Sequence, residues 1–133
     1  MGKKILLVDA DDSLRDSLAE QLDLHEEFEP MGAGTAKEGL DLLEEGYFDV
    51  ILLGVGLPDM DGREACRLMR CNGVKSPIIM LTRSDTGVDT ILGLEAGAND
   101  CISKPFRLGV LLARIRAQLR QHQQSKDAAF SIG

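Results

Sequence analysis

Val50-Ile51-Leu52-Leu53-Gly54-Val55-Gly56-Leu57-Pro58-Asp59-Met60-Asp61-Gly62 begins as an unbroken apolar run and passes through glycine into a loop rich in Gly, Pro and Asp. Apolar character that is continuous, not alternating, marks a strand covered on both faces, as in a parallel sheet with helices on either side. Ile5-Leu6-Leu7-Val8 and Ile78-Ile79-Met80-Leu81 share that character. Between these runs Leu14, Leu18 and Leu22, then Ala36, Leu40 and Leu43, then Ala65, Leu68 and Met69 recur at helical steps, each set giving one apolar stripe. Asp12-Ser13 supplies a start for the first helix, Thr35 with Glu38 a capping box for the second, and Asn72-Gly73 a stop for the third. Phe28 to Ala33 predicts a weaker strand, and Pro30, which has no N–H to donate, assigns it to an edge. Val88, Ile91 and Leu92 predict a fourth helix, Cys101-Ile102 a short fifth strand, and Leu108, Leu111, Leu112, Ile115 and Leu119 a long fifth helix. The alternation predicts an α/β, doubly wound open sheet built from βα units with right-handed crossovers.

At 133 residues the chain suits one domain with a single core. Apolar residues make up 44% and aromatics only 4%, with no Trp, so the core is aliphatic and base stacking is not its binding device. A formal charge of −7 repels phosphate backbones, so this segment by itself is not expected to bind DNA. Lys3-Lys4 is followed by only four apolar residues before Asp9, which is no signal peptide, and no run approaches membrane-spanning length. A cytoplasmic protein without membrane contact is expected. Cys66, Cys71 and Cys101 share no metal-ligand spacing and are odd in number, so neither a zinc site nor a disulfide framework is indicated.

In open sheets of this kind sites form beyond the carboxyl ends of the strands. Asp9, Ala10, Asp11 and Asp12 follow the first strand, Gly54 to Gly56 the third, Thr82 the fourth and Lys104-Pro105 the fifth. Beyond Leu119 the chain turns polar from Arg120 to Asp127, and Ala129 to Gly133 begins an alternating pattern. Residues 1–121 are therefore expected to be one domain, and 122–133 a linker and the start of a further C-terminal domain.

Leu7-Val8-Asp9, Leu57-Pro58-Asp59-Met60-Asp61-Gly62, Met80-Leu81-Thr82, Gly97-Ala98-Asn99-Asp100 and Lys104-Pro105-Phe106, in this order and spacing, resemble the receiver domain of two-component response regulators over about residues 3 to 121. The resemblance implies a flavodoxin-like (βα)5 parallel five-stranded sheet of order 2-1-3-4-5. It also implies a phosphorelay pocket in which an aspartate ending the third strand accepts a phosphoryl group, Mg²⁺ neutralises it, a Thr and a Lys bind its oxygens, and an aromatic on the fifth strand reports the change. On that pattern Asp9, Thr82 and Lys104 are retained. The second metal-binding acid falls on Ala10, the acceptor on Gly54 and the reporting aromatic on Cys101, so Thr82 and Cys101 are the switch positions and Gly56 lines the same pocket. Glycine offers nothing to phosphorylate and alanine no hard oxygen, so Mg²⁺ binding is expected to be lost or weak and no cofactor is expected. The implied protein is an atypical, phosphorylation-independent receiver, not an enzyme.

Other readings stand beside each of these residues. Asp9 caps its loop or pairs with Lys104 instead of holding metal. Asp11 and Asp12 start the first helix or substitute as ligands; Asp59 and Asp61 cap the third helix or take the phosphoryl group themselves. Thr82 and Lys104 could retain a sulfate-sized anion site, and Cys101 could respond to redox chemistry if its thiol were exposed and acidic. A displaced carboxylate acceptor and a flavodoxin-type cofactor protein are the rival functions.

Ile91, Leu94 and Leu112 resemble the apolar patch through which OmpR/PhoB-type winged-helix regulators pair their receivers. Glu95, Asp100, Arg114 and Arg116 fall where that subfamily places intersubunit ion pairs, while helical spacing alone assigns the two arginines to a solvated face. Val110 departs from the acidic residue expected there. The implied partners are a second copy through the fourth helix, fifth strand and fifth helix, DNA only through a further winged-helix domain, and a protein or small-ligand regulator.

Overall fold

A computed structural model of the chain describes residues 2–83 and 87–132, without the side chains of 87–89 and 125–132. The elements run β1 (Lys3–Val8), α1 (Asp12–Asp23), β2 (Phe28–Ala33), α2 (Ala36–Glu45), β3 (Val50–Gly54), α3 (Gly62–Cys71), β4 (Ile78–Thr82), α4 (Gly87–Glu95), β5 (Asp100–Ser103) and α5 (Leu108–Ile132). All pairings are parallel and the order is β2-β1-β3-β4-β5. The flavodoxin-like expectation is met. Pro30 lies in β2, an edge strand, where its missing N–H costs no ladder bond from the open side.

Every residue of β3 and β4 is buried, which is what their unbroken apolar runs require. Alternate residues feed two cores. Leu6, Val8, Ile51, Leu53, Ile78 and Met80 pack with residues of α2 and α3 on one face. Ile5, Leu7, Val50, Leu52, Ile79 and Leu81 pack with residues of α1 and α5 on the other. The end of β3 is seated by close backbone contact: the Gly62 N–H donates to Val55 O at 2.7 Å, and a Cβ at Gly62 would collide with Gly54 O and lie 2.8 Å from Val55 Cα. Only glycine lets α3 begin this close to the strand.

Two expectations are corrected here. The cap of α1 is Asp11, whose side chain accepts from Leu14 N, and Asp12 sits in the first turn instead of before it. Residues 122–132 continue α5 as helix, so the alternating pattern from Ala129 does not begin a strand here. Gln123, Gln124, Lys126, Ala128 and Ala129 are good helix formers and no Gly or Pro interrupts the stretch before position 133, so propensity carries the helix on. The Val88 side chain and the pattern at 129–133 lie outside the described side chains.

Leu52→Ala should lower the unfolding free energy by about 2–5 kcal/mol, since Leu52 is wholly buried between sheet and helices. Urea denaturation measures it, and a loss below about 1 kcal/mol would contradict the two-sided core.

Candidate functional site

Asp9 leaves β1 at its carboxyl end and is 5% exposed. A buried carboxylate needs partners. One oxygen, Oδ2, receives the Lys104 ammonium at 2.7 Å, and the other, Oδ1, accepts from Asp11 N at 2.9 Å. The Asp9 backbone is fixed as well, its N–H donating to Ala33 O at 3.1 Å and its carbonyl accepting from Arg15 Nη1 at 2.7 Å. Both alternatives weighed for Asp9, loop cap and Lys104 partner, hold together in one side chain. Arg15 was not legible as a site residue. Its guanidinium also pairs with Asp12 at 2.6 Å, and its stem lies against Gly32 and its guanidinium against Gly34, whose lack of side chains makes the room.

Gly54 faces this pair. A Cβ built on it would fall 2.7 Å from Asp9 Oδ2, closer than a carbon can sit beside that oxygen, and a tight 3.1 Å from Asp9 Cγ. Two residues on, the Arg83 guanidinium covers Gly56 and would overlap a Cβ there. Thr82 is 1% exposed, and its hydroxyl donates to Ile102 O at 3.4 Å. The pocket therefore gathers Asp9, Gly54, Gly56, Thr82 and Lys104 at one end of the sheet, with Arg83 added. Ala10 is exposed and contributes no oxygen.

This donor set does not fit Mg²⁺. A hard dication of octahedral preference wants several oxygens. Asp9 is committed to Lys104, Asp11 to Leu14 N and Asp12 to Arg15. Among the described residues no group of three or more His, Cys, Asp or Glu side chains could hold a metal ion.

Asp61 caps α3 as expected, accepting from Arg63 N at 2.8 Å and pairing with the Arg63 guanidinium at 2.7 Å, which holds its carboxyl below the usual range. Asp59 does something else. It crosses to α2 and accepts from Ala36 N at 2.9 Å and Lys37 N at 3.0 Å, and these two backbone donors lower its pKa. It is a second cap of α2 beside Thr35, not a cap of α3. Cys101 is half-buried, with its sulfur against Gly93 and 3.7 Å from Thr90 O. Burial first, then the nearby Asp100, pushes its thiol pKa up, the direction that disfavours the reactive thiolate.

On α4 and α5 the structure redistributes the expected surface. Ile91, Leu94 and Val110 are exposed at 56%, 46% and 44%, whereas Leu112 is 7% exposed and packs in the α1/α5 core. Leu112 therefore leaves the patch and Val110 enters it, because the core stripe of α5 is wide enough to include both Leu111 and Leu112. Arg114 binds both oxygens of Asp100 within the chain, at 2.8 and 2.7 Å. Arg116 pairs with Glu27 and stands 5.8 Å over the Phe28 ring, so it serves the other flank of α5. Glu95 is exposed. A groove of about 730 Å³ opens at the opposite end of the sheet, beside Tyr47, Val74 and His122, and shares no residue with the pocket. The convergence of buried side chains at the strand ends, not cavity size, locates the site.

Fold and pocket together define a doubly wound signalling domain of the receiver type. The model of the response regulator receiver domain family matches residues 5–116, and the chain belongs to that family. It is 40% identical, over its whole length, to the DNA-binding response regulator MtrA of Mycolicibacterium smegmatis, and spans 58% of that protein. Solved structures agree. A CheY-like response regulator receiver domain protein from Methanospirillum hungatei is 32% identical with TM-score 0.87, the match covering 94% of this chain and 99% of that one. The BeF3-activated N-terminal receiver domain of Klebsiella pneumoniae RstA is 33% identical with TM-score 0.82, covering 89% and 99%. Among the described residues no helix is long and apolar enough to cross a membrane.

The Asp59 cap carries a pH signature. Its folded pKa is depressed, so the stability it gives is present above the ordinary carboxylate range and is lost as pH falls through the folded value. Asp59→Asn should lower stability at neutral pH, where the ionised cap accepts both N–H groups, and flatten the acid limb so that the two proteins converge at low pH. Thermal melts of both proteins over the acid range check this, and parallel acid limbs would contradict it.

Proposed function

We propose that the chain is a phosphorylation-independent receiver module of a two-component-type transcription regulator, acting through self-association. The observation that carries this reading is the pairing of buried Asp9 with partly buried Lys104 beside Gly54. Phosphoryl transfer to a receiver needs a carboxylate nucleophile and a cation to offset charge in the transition state. In this reading Gly54 stands at the acceptor position and supplies no carboxylate, Ala10 supplies no metal ligand, and the retained lysine is engaged by an internal carboxylate.

The module works in the cytoplasm as a homodimer through α4, β5 and α5, with Ile91, Leu94 and Val110 as the apolar contact and Glu95, Asp100 and Arg114 around it. Exposed aliphatics of this kind favour a symmetric partner surface. DNA contact belongs to a winged-helix domain of a longer polypeptide, a reading supported by the DNA-binding relative of which this chain spans 58%. The domain catalyses no reaction of its own, and a protein or small ligand takes the place of phosphate as its input.

One second reading has an observation in its favour: Asp9 Oδ2 projects into the space beside Gly54, so Asp9 could be a displaced acceptor. A redox role for Cys101 is disfavoured by the raised thiol pKa.

Acetyl phosphate with Mg²⁺, read by intact mass, should leave the protein unlabelled. Sedimentation at high micromolar concentration should show a dimer that acetyl phosphate does not alter and that Leu94→Asp converts to monomer. Labelling of Asp9 would establish the second reading, and a monomeric native protein would remove the dimer role.

A further inference from the structure

Gly54 removes a side chain, and the distances around it describe the space gained. The carboxylate of Asp9 occupies the volume that any side chain at position 54 would need, with Oδ2 at 2.7 Å and Cγ at 3.1 Å from the Cβ site. A clash with the far end of a long, mobile side chain is relieved by rotation, as the exposed Arg83 could swing off Gly56. Asp9 cannot move so freely. Its side chain is short, 5% exposed, and held at both oxygens, by Lys104 Nζ at 2.7 Å and Asp11 N at 2.9 Å. Rotating it out of the way breaks those bonds and leaves a buried carboxylate without its partners.

The backbone around the pair extends its reach. The Asp9 N–H is tied to Ala33 O, the Val55 N–H to Leu81 O at 3.2 Å and the Lys104 N–H to Thr82 O at 2.8 Å. The ion pair therefore bridges the β1–α1 and β5–α5 loops, 95 residues apart, across the end of β3. The two charges neutralise each other.

We propose that Asp9 and Lys104 are a built-in occupant of the pocket, admitted by glycine at position 54, and that this latch holds the two loops in one arrangement without an external ligand. It rests on the reading that the pocket takes no phosphoryl group, and adds to it what Gly54 does. Gly54 is then a positioning residue: a side chain there and the latch exclude each other.

The test is a cycle of wild type, Gly54→Ala, Asp9→Ala and the double variant in the full chain, followed by amide hydrogen exchange at Asp11 and Lys104. The Asp11 amide bonds the Asp9 carboxylate and the Lys104 amide closes the far loop. Gly54→Ala should speed exchange at both amides about tenfold or more. In the Asp9→Ala background the same change should alter Lys104 exchange by less than about twofold, because the obstructing carboxylate is gone. Without that obstruction a Gly-to-Ala change at a residue of ordinary negative φ is neutral or stabilising.

Wild-type exchange rates in Gly54→Ala, or equal acceleration in both backgrounds, would overturn the latch. Should Gly54→Ala fail to fold, far-UV circular dichroism of the double variant decides: a folded double variant supports the latch, and an unfolded one overturns it. Acetyl phosphate labelling of the wild-type sample separates the two levels. A label on a residue other than Asp9 removes the phosphorylation-independent reading while the exchange cycle still reads the latch. A label on Asp9 removes both.

Discussion

Asp9 sits at the mouth of the sheet with a carboxylate that is 5% exposed, and the surrounding structure is arranged so that this charge has partners. One oxygen takes the Lys104 ammonium and the other a backbone N–H of the following loop. An ion pair of this kind gives little net stability over an apolar equivalent, but removing one partner strands the other. Its strength as a constraint lies in specificity of position. Lys104 must arrive from β5, Asp9 from β1, and β3 between them must present no side chain. Parallel pairing of β1 with β3, β3 with β4 and β4 with β5 in the observed register delivers all three to one place.

The same crowding explains the loop that follows β3. Gly62 admits α3 against the Gly54 carbonyl, Asp61 caps that helix, and Asp59 reaches sideways to cap α2. A loop tied at both ends in this way has little freedom to rearrange. Arg83 over Gly56 and Cys101 against Gly93 continue the pattern, each side chain filling space that a glycine leaves. The pocket is packed with its own groups.

The sheet was legible because burial on both faces writes itself as unbroken aliphatic runs, and Pro30 marked the edge by chemistry alone. The pocket residues were legible as strand ends followed by Asp9, Gly54, Thr82 and Lys104. What escaped depends on tertiary paths. Asp11 and Asp12 are equivalent as caps from sequence, and only backbone geometry selects Asp11. Asp59 bonds residues 22 and 23 positions away, beyond any local signal. Leu112 lies at the border of a helical stripe, where periodicity alone does not divide core from surface. The polar tail continues as helix because polarity and helix propensity are separate properties.

The most direct test of the account is an amide NMR titration of the whole chain with Mg²⁺ followed by beryllium fluoride. A pocket already filled by Asp9 and Lys104 predicts no saturable shift at residues 9–11, 54–56, 82 or 104. Saturable shifts at those amides that extend to Ile91 and Leu94 would show a working metal and phosphoryl site coupled to the association surface, and would contradict it.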